Sequence, residues 1–402
     1  MSLFGTQTPE QALAKLGDMT QGVQPIAAGE FRERTARAQS WLKRHHCAAM
    51  YLHAGTNLYY FTGLEWHPSE RMVAGIIPAD GDPYYVCPGF EVETLKDFWQ
   101  LPGDVVTWEE HEVPGQILKR SLTERGMSSG TLLVDPATPY FILDGMRRSI
   151  EKEFQFEIAT PLVDLTRGRK TASELVLIKR SHEITAEVIM AAASILKPGI
   201  TTTEVARFIK QAHRKVAGVD SYFVIVLFGV ATSFPHGVKE PQTLKEGDWV
   251  LIDTGFRLHG YHSDITRTFV FGEPTADQQK AWEVEKAAQV AGFSAARNGL
   301  PCSVVDNAAR KSLESNGYGP DYKLPGLPHR TGHGCGLDIH EAPNVVRGNS
   351  QLLETGMVFS CEPMLVIPGK FGVRLEDHFY MTDSGPEWFT KPAPTMHDMF
   401  EI

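Results

Sequence analysis

The chain has 402 residues, long enough for two or three domains, and its 42% hydrophobic and 22% charged content is that of an ordinary globular protein. A formal net charge of −10 argues against nucleic acid or an anionic membrane as principal partner. Cys47, Cys87, Cys302, Cys335 and Cys361 form an odd, scattered set without a C-x-x-C pair, and no apolar run approaches the ~18 residues of a membrane helix. With an N-terminus unlike a signal peptide, this points to reduced thiols in a cytoplasmic protein.

In chain order, residues 1–27 read as a short helix and a lead-in. Residues 31–46, charged and free of Gly and Pro, predict a helix. The apolar run 48–52 predicts a strand, followed by a turn at Gly55-Thr56-Asn57 and a helix starting at Leu58. Strands are expected at 72–77 and 84–87 around the turn Asp80-Gly81-Asp82-Pro83, then a strand at 132–135 and a helix at 140–152. This alternation predicts an α/β domain over residues 1–165, without a catalytic motif. The charged, uncored stretch RGRKT (167–171) marks the boundary. Beyond it come helices at 172–196, stopped by Pro198-Gly199, and at 201–216, with threonines at its start and Glu204 in its first turn. Strands at 223–228, 249–253 and 266–271, helices at 277–297 and 304–316, and strands at 357–362 and 373–381 make an α+β domain of residues 166–402.

The stretch LPGLPHRTGHGCGLDIHEAP (324–343) sets His329, His333 and His340 among glycines too dense for a stable helix. Such density suits close backbone approach to a bound group, and His333 is a candidate metal ligand. Asp253 closes the apolar run Val250-Leu251-Ile252, and Glu362 follows VFSC in the same way, where an unpaired charge is costly. Period-2 alternation puts His262, Asp264, Thr266 and Thr268 on one strand face, and Arg374 with Glu376 on another. A weak echo joins the halves, since Asp253 and Glu362 each stand six residues after a glycine, Gly247 and Gly356. Four convergent carboxylates would raise one another's pKa, which two divalent cations would relieve. H-E-x-x-H, EF-hand, G-x-G-x-x-G and Walker A patterns are absent.

At these residues the chain resembles the pita-bread metallopeptidases: prolidase, aminopeptidase P and methionine aminopeptidase, with creatinase a metal-free cousin. The resemblance rests on FPHG (234–237), IDTG (252–255), YHSDITRT (261–268), HRTGHGCGLDIHE (329–341), CEP (361–363) and VRLEDHF (373–379). GTNLYYFTGL (55–64) more loosely resembles a creatinase-type N-terminal domain, and length and motifs together are most similar to bacterial Xaa-Pro dipeptidases. The resemblance implies five metal ligands, with Asp264 and Glu376 bridging two ions, Asp253 completing one site, and His333 with Glu362 the other. Mn²⁺ is the first choice, with Co²⁺, Fe²⁺ and Zn²⁺ as alternatives. It further implies Glu362 as proton acceptor, His236 or His340 as stabiliser of the oxyanion, His329 and His340 as substrate contacts, and Arg374 as a clamp on the substrate's proline carboxylate. Homodimerisation is expected on the same ground.

The expected activity is hydrolysis of Xaa-Pro dipeptides. An Xaa-Pro aminopeptidase acting on longer peptides is the nearest alternative; a metal-dependent lyase, a creatinase-like hydrolase and a non-catalytic binding module are more distant ones. Two positions depart from the resemblance. Cys335 replaces an aliphatic residue and suggests an oxidation-sensitive thiol beside the metals. Leu258 stands where relatives often have a tyrosine supporting the bridging aspartate. No role is assigned to His259, His262 or His378.

Overall fold

The computed structural model describes residues 4–400. They form two compact units, one of residues 26–167 and one joining the residues through Pro25 to those from Gly168 onward. Helix α1 (Pro9–Lys15), opened by a Thr8–Gln11 capping box, thus belongs to the later unit. This corrects the expectation of a first domain starting at residue 1. A helix of 7 residues carries too little apolar pattern to reveal its partner, which is set by tertiary bonds such as Gln7 N–H to Ser194 O (3.2 Å) and Arg180 Nη1 to Met19 O (2.8 Å).

In the unit of residues 26–167, helices α2 (Ala28–Arg44), α3 (Thr56–Thr62), α4 (Val92–Phe98), α5 (Pro114–Glu124), α6 (Tyr140–Ile150) and α7 (Thr160–Arg167) surround one sheet. Its strands are β1 (Cys47–His53), β2 (Ala74–Pro78), β3 (Tyr84–Pro88), β4 (Asp104–Trp108), β5 (Gly130–Val134) and β6 (Phe154–Ile158), in the order β4-β3-β2-β1-β5-β6. Alternate residues Ala49 and Tyr51, Ala74 and Ile76, Tyr84 and Val86, and Leu132 and Val134 face α5 and α6 in one core. Strands β4 and β6 lie at the sheet edges and are half exposed, so neither has the apolar run that would announce it. The RGRKT stretch is not uncored. Arg167 is buried and donates to Asn57 Oδ1 at 2.6 Å, while Lys170, also buried, pairs with Glu341 at 2.5 Å.

The later unit continues with α8 (Ala172–Ser194) and α9 (Thr202–Ala217), each opened by a Thr–Glu capping box. Strands β7 (Ser221–Phe228), β8 (Trp249–Leu258) and, after the short β9 (Tyr261–His262), β10 (Ile265–Val270) form a sheet ordered β10-β8-β7. Helices α10 (Ala276–Ala295) and α11 (Ser303–Ser315) precede β11 (Gly332–Gly334), β12 (Glu341–Val345), β13 (Val358–Cys361), β14 (Met364–Ile367), β15 (Phe371–Arg374), β16 (Asp377–Thr382) and β17 (Gly385–Trp388). These give a second sheet, β12-β11-β13-β16-β17, and the hairpin β14-β15. A bridge between Thr266 and Glu376 joins the β10 and β16 regions. Each half of the unit therefore runs from two helices into an antiparallel pair, β8/β10 and β13/β16, with site carboxylates in or next to its strands. No helix among the described residues is long and apolar enough to cross a membrane.

Candidate metal centre

Asp253 lies mid-strand in β8, which runs on to Leu258 instead of ending at the carboxylate. Register pairs it with Thr266 of β10, so the two side chains share a face. Asp264 and Glu376 are not parts of continuous alternating strands, as the sequence suggests. Asp264 falls in the break between β9 and β10, and Glu376 in the break between β15 and β16. A one-face alternation through either residue is thereby interrupted, and the Thr266–Glu376 bridge (N–H to O, 3.1 Å) sets Glu376 beside Thr266. Glu362 follows β13 and donates its N–H to Thr331 O at 2.8 Å. His333, on β11, donates its N–H to Ser360 Oγ at 2.9 Å.

Two glycines permit this crowding. A Cβ at Gly255 would meet Ser263 O at 1.9 Å, and one at Gly332 would meet Ser360 O at 2.0 Å, contacts no side chain tolerates.

The five candidate ligands converge. His333 Nε2 stands 3.1 Å from Glu362 Oε1 and 3.9 Å from Asp264 Oδ2. Asp253, Asp264 and Glu376 offer oxygens within 4.8 Å of one another, as do the ligand atoms of His333, Glu362 and Glu376. Burial, and then the neighbouring carboxylates, push Asp264 and Glu376 well above the usual carboxylate range. Burial also raises Asp253, against the pull of the Arg374 guanidinium. At Glu362 burial acts upward too, but the His333 hydrogen bond prevails and the carboxyl is lowered. Asp253 Oδ1, Asp264 Oδ1 and Glu376 Oε1 are buried without a hydrogen-bond partner. Buried acceptors left open, hard oxygen donors and one imidazole together fit divalent cations of the Mn²⁺, Co²⁺, Fe²⁺ or Zn²⁺ type.

Arg374, expected as a clamp on the substrate, has partners within the site. Its buried guanidinium pairs with Asp253, with Nε donating to Thr266 Oγ1 (3.1 Å) and Nη1 to Pro235 O (3.1 Å). Its charge is thus matched inside the site. His340 is exposed, its ring 4.2 Å from that of His333, and burial followed by the His333 charge lowers it to about 4. It is neutral near pH 7 and able to donate one N–H. His329 donates from Nδ1 to Arg330 O at 2.7 Å and keeps a buried, unpartnered Nε2. His236 is exposed and close enough to His329 and His340 for its charge to depress both.

Cys335 is fully buried and its thiol is pushed well up by burial, so it is not the reactive thiol the sequence suggests. Leu258 is buried at the end of β8, opposite Tyr261. The sequence placed Thr266 on a strand face without a role, and its hydroxyl donates to Glu376 Oε2 at 2.6 Å; Ser360, unmarked in the sequence, has its Oγ 3.3 Å from Glu362 Oε1. For Thr266 the signal was the alternation of threonines along β10; Ser360, a lone hydroxyl in the apolar strand β13, carried none. The five cysteines are free and buried.

Comparison with known proteins agrees with this geometry. Residues 176–383 match metallopeptidase family M24, and residues 34–168 match the creatinase/prolidase N-terminal domain. A putative dipeptidase, YkvY of Bacillus subtilis, is 32% identical over 355 residues, covering 88% of this chain and 96% of the relative. The crystal structure of dipeptidase PepE from Mycobacterium ulcerans superposes with a TM-score of 0.85 at 30% identity, covering 94% of this chain and 99% of that one. A recombinant prolidase from Thermococcus sibiricus gives a TM-score of 0.81 at 29% identity, with 90% and 97% covered.

Proposed function

Because the chain belongs to metallopeptidase family M24, a pita-bread catalytic domain behind a creatinase-type α/β N-terminal domain, we propose that it hydrolyses the Xaa-Pro bond of short peptides, dipeptides above all. Asp253, Asp264, His333, Glu362 and Glu376 would hold two divalent ions, Mn²⁺ first among the candidates. The observation that carries this reading is the convergence of five ligand-type side chains, three of which keep a buried carboxylate oxygen without a partner. Likeness to a prolidase supports the Xaa-Pro preference.

When bound, the ions would supply an acidified water and a polarised substrate carbonyl. The chain's own groups then have distinct tasks. Glu362 accepts the proton of the attacking water. Neutral His340, with His236 nearby, donates an N–H to the oxygen on which charge develops. Arg374 favours the ionised form of Asp253 against the effect of burial, and Thr266 fixes the orientation of Glu376. His329 offers the lone pair of Nε2 to a donor on the substrate. Half-buried Arg330, one residue from His329 and near enough to depress His340, is the cation best placed to receive the substrate's terminal carboxylate.

One observation favours a second reading. With Arg374 committed to Asp253, the case for restriction to dipeptides is weaker, which suits an Xaa-Pro aminopeptidase acting on longer chains. A panel of Xaa-Pro, Xaa-Pro-Zaa and Xaa-Ala peptides, assayed after reconstitution with each metal, separates the readings. Turnover of Xaa-Pro alone is expected. Faster cleavage of Xaa-Pro-Zaa gives the aminopeptidase, and cleavage of Xaa-Ala without Xaa-Pro ends the prolidase assignment.

A further inference from the structure

Asp264 has an unusual backbone setting. The β8–β9 ladder ends at His262 and the β8–β10 ladder begins at Ile265, so the Asp264 peptide groups lie outside both. A buried N–H and C=O deprived of a ladder need other partners. Here both partners are histidines. The Asp264 N–H donates to His182 Nε2 at 3.4 Å, and His378 Nδ1 donates to the Asp264 carbonyl at 2.9 Å.

These bonds fix the protonation of both rings. A backbone carbonyl only accepts, so His378 carries its proton on Nδ1. A backbone N–H only donates, so His182 presents a lone pair at Nε2. Its proton then sits on Nδ1, which donates to Ile178 O at 2.8 Å. The two rings are fully buried and lie against each other, centroids 4.7 Å apart, with Phe389 stacked on His182 at 5.4 Å. The preceding residue is held from the same helix, since Thr185 Oγ1 lies 2.7 Å from Ser263 Oγ. His378 keeps its Nε2 buried without a partner, a cost that plain packing with Phe or Leu would avoid.

We propose that His182 and His378 are positioning residues that hold the two peptide groups flanking the Asp264 Cα and so aim its carboxylate for divalent metal binding. This rests on the reading of Asp264 as a metal ligand. Each imidazole acts through the main chain of Asp264, whose Cα stands between the two held peptide groups and carries the Cβ that bears the carboxyl group.

The test uses the full-length protein, freed of metal with a chelator and titrated with Mn²⁺ by calorimetry, alongside the melting temperature of each metal-free variant. His378→Phe removes the donor and keeps the ring, whereas His378→Asn returns an N–H near the Nδ1 position. His182→Leu and His182→Gln make the corresponding pair for the acceptor. Removing either partner is expected to weaken Mn²⁺ binding by roughly 10–100-fold, with most of the loss recovered by Asn or Gln. Because rescue is compared between variants of similar metal-free melting temperature, a purely structural role would not reproduce it. Unchanged Mn²⁺ affinity in His378→Phe, or Asn no better than Phe, overturns the proposal. Failure of the unsubstituted protein to bind Mn²⁺ overturns the metal reading beneath it, a separate and recognisable result.

Discussion

Asp377 is a buried acid whose carboxylate accepts from Arg267 Nη2 at 2.6 Å and from Gln289 Nε2 at 2.9 Å. Arg267 in turn gives Nε to Met399 O (2.8 Å) and Nη1 to Glu376 O (2.8 Å). Its chain neighbour, Glu376, is as deeply buried, yet one oxygen has the Thr266 hydroxyl while Oε1 has no partner. Burial and nearby carboxylates push Glu376 well up in pKa. One acid belongs to a closed network that holds β10 to β16 and the C-terminal segment; the other belongs to a cluster with more negative charge than its protein surroundings can balance. A buried charge with its bonds complete reads as architecture. One with its bonds open reads as a place for something from outside.

The sharpest break in that contrast comes from the cluster. Asp264→Asn should lower peptidase activity by more than roughly 100-fold and abolish stoichiometric metal, while the metal-free protein melts no lower than the unsubstituted one because repulsion is relieved. A metal-free melting temperature that falls would make Asp264 a structural acid. The opposite pattern is expected at the closed network. Arg267→Ala leaves Asp377 buried without its cation and should cost about 3–5 kcal/mol in a denaturant titration. A loss below about 1 kcal/mol would show that the network is redundant.

The pH dependence sharpens the same contrast. Asp264 and Glu376 have folded pKa values raised above their unfolded values of roughly 4, so in that window the folded chain holds protons that the unfolded chain has lost. Stability of the metal-free protein must then fall as pH rises from about 4 through the folded values. With Mn²⁺ bound, the same carboxylates stay ionised in the folded state, so the fall above about pH 4 should disappear and stability should be lost only as pH drops below that value. Burial also raises Glu285, but it adds the same slope to both forms, and the difference between the two melting profiles isolates the site. Coincident profiles would remove the cluster from metal binding. The smallest effect concerns Glu285 itself, fully buried with neither oxygen in a well-formed hydrogen bond although the Leu365 and Leu375 amides are near. Glu285→Met should stabilise by about 1–3 kcal/mol without changing Mn²⁺ affinity; destabilisation would mean that the acid is bonded after all.

Much of this molecule was legible in its letters. The helices α2, α8, α9, α10 and α11 follow from long stretches of helical pattern, and α8, α9 and α10 also open on Thr-x-x-Glu or Thr-x-x-Gln; all of these are local signals. Asp253, Glu362 and His333 stood out because a charge closing an apolar run, or a histidine among glycines, is locally anomalous. Edge strands β4 and β6 went unread because half-exposed strands carry no apolar run.

What only the tertiary structure decided is who pairs with whom. Cα-level alternation could not foresee that both ladders break at Asp264 and at Glu376, since a break depends on a partner strand far along the chain. Nor could it show that Arg374 spends its charge on Asp253, that Cys335 is sealed from solvent, that α1 joins the later unit, or that His182 and His378, distant in sequence, meet on the main chain of one residue. The physical reason is one of range. Propensity, capping and periodicity act over a few residues and are written locally, whereas desolvation and charge pairing depend on neighbours that come together only when the whole unit has folded.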